Sequence, residues 1–114
     1  MPPKILKKKE NLRPTFIREW RVYRNLSQDR LVARVRENLI GFSKSTLSRL
    51  ENSKQAYTQP MLEALADALN CEPADLLARD PTSEFWTLYD ALRKMRPDQQ
   101  RQIAKIVETF KQAA

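Results

Sequence analysis

Residues 43–52 carry the side chains whose types and spacing are best suited to recognition chemistry. Leu47 and Leu50 are three residues apart, so a helix would place both on one face. A helix held down by these leucines and displaying polar groups is what reading the major groove of DNA requires. The polar side chains that project elsewhere, and that can hydrogen-bond to base edges or phosphates, are Lys44, Ser45, Ser48 and Arg49.

Catalytic chemistry has little support in the composition. The chain holds no His and a single cysteine, Cys71, which excludes a Cys–His nucleophile and an intramolecular disulfide. Asp75 and Asp80 are the nearest thing to a carboxylate pair, but they are better explained as helix-end and surface charges. We therefore expect no enzyme activity, no metal site and no cofactor. The lone cysteine favours a reducing cytoplasm.

The positive charge is concentrated in the N-terminal half of the chain. Residues 1–59 hold 14 Lys/Arg and 5 Asp/Glu, a net charge of +9, within a total of +7. Residues 60–114 hold 7 Lys/Arg and 9 Asp/Glu, a net charge of −2. This segregation predicts a polyanionic partner for the N-terminal half alone. No apolar run approaches the roughly 20 residues of a membrane helix, so no membrane partner is expected.

Helical periodicity recurs along the chain, and no strand is predicted. The first helix is expected over about 15–24, capped by Thr15. Ser27 is expected to cap the second helix, Ser43 the third and Thr58 the fourth, and Pro60 suits the first turn of the fourth. A short fifth helix follows from Glu72 and Pro73.

Two amphipathic helices close the chain, over about 83–95 and 97–112. Asp80 and Pro81 mark the junction before them, because proline disfavours helix in the residue that precedes it. The predicted domains are a basic arm at 1–13, a helical domain at 14–79 and an interaction segment at 80–114. The apolar stripes of the last two helices are Phe85, Leu88, Tyr89 and Leu92 on one, and Ile103, Ile106, Val107 and Phe110 on the other.

Several short motifs fall in register with one family. The second helix starts Ser-Gln-x-x-Leu, and the third reads Ser-x-x-Thr-Leu-Ser-Arg-Leu-Glu-Asn. A Leu-x-x-Leu-Ala helix and a closing Pro-Ala-Asp-Leu-Leu follow. Over residues 15–78 the chain resembles the Cro/lambda-repressor-type helix-turn-helix family, also called the xenobiotic response element family. The resemblance implies an all-α fold, with a five-helix lambda-repressor-like DNA-binding domain before the C-terminal pair of amphipathic helices.

The resemblance also implies roles for individual residues. Arg49 is expected to bind guanine O6 and N7, and Gln28 to support the recognition helix while touching phosphate or a base. Glu51 is expected to form a structural ion pair with Arg21, since a carboxylate would repel DNA. The expected DNA-binding residues are Gln28, Lys44, Ser45, Thr46, Ser48, Arg49, Asn52, Lys54 and Tyr57, joined by Lys7, Lys8 and Lys9 of the arm.

Other roles remain open for some of these residues. Gln28 could be an ordinary polar residue of a first turn, and the polar face of residues 43–52 could simply be solvated. Thr46 could help fold its helix, and Tyr57 could pack at the edge of the core. The basic arm could be a solvated tail.

The chain departs from the family pattern at two places. The link from Leu31 to Leu47 is several residues longer than in compact phage repressors. Either the second helix is extended, or the turn bulges with Leu39, Ile40 and Phe42 packed beneath it. Val32 also stands where a small alanine is usual.

The sequence thus predicts a sequence-specific, double-stranded DNA-binding transcription regulator of bacterial or phage type. A dimeric repressor located with the nucleoid in the cytoplasm is the simplest form of it. The C-terminal helices would pair two chains as a homodimer, or else cap the domain. One alternative is an antitoxin-type regulator whose C-terminal helices bind another protein. A second alternative is a nucleic-acid-binding protein of low sequence specificity.

Overall fold

The structure, a computed structural model, describes residues 12–113, which form seven helices and no strand. The all-α prediction is therefore confirmed for this part of the chain. The chain divides into two units, one up to Thr82 and the other from Ser83. The helices are α1 (Ile17–Tyr23), α2 (Gln28–Arg36), α3 (Lys44–Glu51), α4 (Gln59–Leu69), α5 (Pro73–Ala78), α6 (Glu84–Arg93) and α7 (Pro97–Ala113).

Helix α1 begins later than its sequence pattern predicts. Phe16 is its N-cap residue, and the Phe16 side chain makes no capping hydrogen bond. Thr15 precedes the cap, and its Oγ1 accepts from Ile17 N at a long 3.5 Å, so the prediction of Thr15 as the cap is wrong. Phe16 N instead donates to Leu76 O of α5 at 2.7 Å. A contact between α1 and α5 therefore fixes the start of α1. The periodicity of the residues around Thr15 cannot predict such a contact.

The caps predicted for the next three helices are confirmed. In each helix the N-cap side chain accepts a hydrogen bond from the backbone N–H three residues ahead. Each such cap satisfies a donor that the helix itself cannot, and stabilises the helix by about 1 kcal/mol. The three N-cap residues are Ser27, Ser43 and Thr58.

The long link between α2 and α3 is a turn and not an extension of α2. Helix α2 ends at Arg36, and Gly41 follows with φ of 90°, a conformation that glycine adopts without strain. Phe42 is buried and Leu39 packs against the core, as one of the two predicted arrangements has it. Ile40 is 95% exposed, so its predicted burial is wrong. Within this turn Ile40 faces solvent, whereas Leu39 and Phe42 pack on the core.

One hydrophobic core holds the N-terminal unit together. Helix α4 packs against α2 and α5, and α1 contacts α3, α4 and α5. Trp20 closes the unit, because its Nε1 donates to the carbonyls of Asp75 at 3.2 Å and Arg79 at 2.9 Å. The fully buried side chains of the described residues are Ile17, Leu31, Val35, Leu47, Leu50, Leu65, Leu69 and Leu76.

The C-terminal unit is a pair of helices without buried side chains. None of the side chains of α6 and α7 is buried. The turn between them is fixed by Gln100, whose Nε2 donates to the carbonyls of Leu92 at 2.8 Å and Met95 at 3.3 Å. The apolar residues of this unit therefore remain open to solvent in the single chain.

Candidate nucleic-acid interface

Helix α3 presents one apolar and one polar face. Leu47 and Leu50 are 0% and 2% exposed, and they anchor the helix on the core. On the other side Lys44, Ser45 and Arg49 are exposed, whereas Thr46 and Ser48 are half-buried. The polar face is rich in hydrogen-bond donors and is held by a rigid element, which is what groove recognition demands.

A partly buried polar network fixes the C-terminal end of α3. Arg21 of α1 clasps the Glu51 carboxylate with two hydrogen bonds, from Nε at 2.6 Å and from Nη2 at 3.1 Å. The side chains are 13% and 3% exposed, so this ion pair is largely shielded from water. Such a pair costs about 3–5 kcal/mol when one partner is removed, because the other charge stays buried.

Gln28 joins the same network from the first turn of α2. Its Nε2 donates to Glu51 Oε1 at 3.1 Å. The remaining Arg21 donor, Nη1, binds the carbonyl of Leu26 at 2.9 Å, in the link that leads into α2. Three helices are thereby tied at one carboxylate, and the orientation of α3 against α1 and α2 depends on it.

The two cations of α3 both have partners within the unit. Lys44 Nζ lies 3.3 Å from Asp29 Oδ1, in an exposed pair. Arg49 Nε donates to Gln55 Oε1 at 2.7 Å, and its Nη2 donates to Thr46 Oγ1 at 3.4 Å. The exposed Lys44–Asp29 pair contributes little to stability. The contacts of Lys44 and Arg49 are important because they set the directions of the two side chains.

Two of the residues singled out by sequence take part in helix ends. Thr46 N donates to the capping Ser43 Oγ at 3.1 Å, and the two hydroxyl oxygens lie 3.0 Å apart. Asn52 is the C-cap residue of α3, and its Nδ2 donates to the carbonyl of Ser48 at 2.8 Å. Both side chains therefore stabilise α3 in the free chain.

The segment that follows α3 contains the last two predicted contact residues. Lys54 is exposed, and its backbone N donates to Arg49 O at 2.8 Å. Tyr57 is 40% exposed and, with Leu50 and Gln55, helps to line a groove of about 570 Å³. Lys7, Lys8 and Lys9 lie outside the described residues.

Sequence reasoning missed two residues of this surface, Gln55 and Asp29. Gln55 is six positions beyond Arg49, outside the helix, and no helical spacing predicts their contact. Asp29 lies in the first turn of α2, where an acidic residue suits the helix dipole without any contact to α3. Both contacts arise from loop and helix packing, so the sequence carried no signal for them.

The predicted interaction residues of the C-terminal unit lie on its surface. Phe85, Leu88, Ile106 and Phe110 are between 52% and 73% exposed. Leu92, Ile103 and Val107 line a groove of about 500 Å³ together with Tyr89. Large exposed apolar patches are typical of surfaces that contact another molecule.

The Cys71 thiol and the carboxylates are the groups that nucleophilic or metal chemistry would use. Burial raises the pKa of the Cys71 thiol to about 11, with Asp75 adding to the rise, so the thiol is protonated at neutral pH. Among residues 12–113 no group of three His, Cys, Asp or Glu side chains is arranged to hold a metal ion.

The fold and this polar helix define a helix-turn-helix DNA-binding protein. A comparison with protein families matches residues 17–82 to the Cro/C1-type HTH DNA-binding domain. The match covers more than half of the chain, and the chain belongs to that family. It agrees with the resemblance drawn from the sequence motifs, and it covers α1 to α5.

Searches of curated proteins and of solved structures found no match to the chain. In the described part of the chain, no helix has both the length and the apolar character needed to span a membrane.

Proposed function

We propose that this chain is a sequence-specific transcription regulator that binds double-stranded DNA and reads the major groove with α3. The observation that carries the proposal is the polar face of α3 on a helix that is fixed at both ends. Its start is capped by Ser43, and its end is tied to two other helices through Glu51. A reader held this rigidly discriminates between base edges because it cannot shift to accommodate a wrong one.

Arg49 and Lys44 are the proposed readers of guanine, with Ser45 and Ser48 beside them. Arginine binds guanine O6 and N7 with two parallel hydrogen bonds, which is the commonest specific contact to a base. Thr46 belongs to the same surface, at its half-buried edge.

Phosphate contacts would set the register of the domain on DNA. Gln28 and Asn52 already bond within the protein, and each retains hydrogen-bonding groups that can face a phosphate. Lys54 and Tyr57 follow α3 and are exposed. Lys7, Lys8 and Lys9 would add sequence-independent attraction, as basic arms do.

The C-terminal unit is proposed to pair two chains into a homodimer. Its exposed apolar residues on α6 and α7 need a partner surface, and a second copy supplies one of the same character. Two recognition helices would then lie about 34 Å apart and read a nearly palindromic operator. Repression by occluding a promoter is the simplest outcome. DNA as the partner places such a regulator with the nucleoid in the cytoplasm of a bacterium or of a phage-infected cell.

Binding measurements on Arg49→Ala test the proposal. A preferred site is first selected from random duplexes with the full wild-type chain. Arg49→Ala should then lose about 1–3 kcal/mol of binding free energy at one base position and relax specificity there. Lys7→Ala is the matched control, because loss of a phosphate contact weakens binding to all sequences alike and lowers the salt dependence.

Two results would favour the alternatives, one from that test and one from purification of the chain. If Arg49→Ala weakens all sequences equally, the chain is a nucleic-acid-binding protein of low specificity. If the purified chain carries a second protein on its C-terminal helices and does not self-associate, it is an antitoxin-type regulator. The exposed apolar residues of α6 and α7 are the observation that supports this second reading.

A further inference from the structure

Gln55 is held in place by the chain around it and not by Arg49 alone. After α3 the backbone turns back on itself, with Ser53 at a φ of 57°. Ser53 N donates to Leu50 O at 3.2 Å, and Lys54 N donates to Arg49 O at 2.8 Å. Gln55 is half-buried and forms part of the groove wall beside Leu50. The loop therefore holds the side-chain amide oxygen of Gln55, Oε1, against Arg49 Nε.

The two hydrogen bonds that Arg49 donates to Gln55 and Thr46 use only one edge of its guanidinium group. Arginine carries five N–H donors in a fixed plane. Nε and Nη2 form one edge, which faces Gln55 and Thr46. Among the described residues, that arrangement leaves the terminal edge, with Nη1 and the second hydrogen of Nη2, for an outside acceptor. Two parallel donors at this edge match the O6 and N7 acceptors of guanine.

We propose that Gln55 is a specificity-determining residue that positions Arg49 for guanine without itself contacting a base. The proposal rests on the proposed function, since it assumes that Arg49 reads a base pair. A long arginine side chain loses rotamer freedom when it binds, and Gln55 removes part of that freedom beforehand. The resulting gain in binding free energy applies only to the base pair that Arg49 contacts.

Removal of the Gln55 side chain should therefore lower discrimination at one position. With the full-length chain and the selected duplex, Gln55→Ala should reduce the preference for guanine at the Arg49 position by about three- to tenfold. Preferences at the other positions should stay as they are. Gln102 is an exposed glutamine of α7, and Gln102→Ala is the control. It should change neither the preference for guanine at the Arg49 position nor the preferences at the other positions. Thermal unfolding of each variant verifies that the domain remains folded.

A double-mutant cycle shows whether Gln55 acts through Arg49. In an Arg49→Ala background, Gln55→Ala should have no further effect on affinity or on discrimination. Gln55→Glu keeps the acceptor and should retain the preference for guanine. Its added negative charge should weaken binding to every duplex by a similar factor.

Three results would overturn the inference. One is an unchanged preference at the Arg49 position in Gln55→Ala. Another is an effect of Gln55→Ala that persists in the Arg49→Ala background, which would make Gln55 a DNA contact in its own right. The third is a wild-type chain that selects no sequence, and this result alone also contradicts the proposed function. In the first two cases Arg49→Ala still relaxes specificity, so the proposed function stands.

Discussion

The two units of this chain treat their apolar residues in opposite ways. In the N-terminal unit, leucines from α2, α3, α4 and α5 meet in one core, and several of them are fully buried. In the C-terminal unit, α6 and α7 are as regular as the other helices, yet neither buries a single side chain. Amphipathic helices gain most of their stability from the surface they pack against. The first unit contains that surface, whereas the two helices of the second do not bury a side chain between them.

Polar interactions differ between the units in the same direction. Arg21 and Glu51 form a shielded ion pair with a neutral third member, Gln28. In the C-terminal unit, Arg96 and Asp98 form an ion pair whose side chains are 72% and 56% exposed. Water screens the second pair and not the first. We therefore expect the Arg21–Glu51 pair to contribute more to the stability of its unit than the Arg96–Asp98 pair does to the stability of its own.

The largest expected effect comes from breaking the shielded pair. Arg21→Ala should cost about 3–5 kcal/mol of unfolding free energy, because Glu51 would remain buried without its cation. Asp98→Asn, which breaks the exposed pair, should cost about 0–1 kcal/mol. Urea unfolding of the two variants beside the wild type measures both values. Equal losses of unfolding free energy in the two variants would contradict this prediction, because they would show that shielding from water does not strengthen the Arg21–Glu51 pair.

A second pair of variants compares the same substitution in the two units. Leu65→Ala removes a side chain that is 0% exposed and should destabilise the N-terminal unit by about 2–5 kcal/mol. Leu88→Ala, at a position that is 58% exposed, should leave the hydrogen-exchange protection of that unit unchanged. Its effect should appear in sedimentation, as weaker self-association of the full chain.

A shortened chain that ends at Thr82 completes this comparison. It retains the whole buried core and should stay folded, but it should sediment as a monomer. If the shortened chain still dimerises, then α6 and α7 are not the pairing surface.

The sequence predicted those features that depend on neighbours along the chain. The N-caps Ser27, Ser43 and Thr58 follow from local hydrogen bonding, and the buried faces of the helices follow from a spacing of three and four residues. The family resemblance added the pairing of Arg21 with Glu51, which the structure places 2.6 Å apart. No local rule links two residues thirty positions apart.

The remaining features depend on contacts through space. Phe16 starts α1 because its backbone reaches Leu76, and a sequence window around Thr15 contains no such information. Gln55 meets Arg49 because the chain turns at Ser53 in a left-handed conformation. A serine there gives no hint of it, since glycine or asparagine is the usual residue for that conformation. The bounds, the cap and the buried face of α3 could thus be predicted from the sequence, whereas the contact between Arg49 and the loop after α3 could not.

The smallest expected effect belongs to Ile40, which is the most exposed large apolar side chain among the described residues of the N-terminal unit. Ile40→Ser should change the unfolding free energy by less than about 0.5 kcal/mol, because almost no surface is lost from the core. Phe42→Ala, two residues later and buried, should cost about 3–5 kcal/mol. Thermal unfolding measures this contrast within a single turn. A large loss of unfolding free energy in Ile40→Ser would mean that the Ile40 side chain packs on the core of the N-terminal unit. An unchanged stability with reduced self-association would instead extend the interaction surface beyond the C-terminal unit.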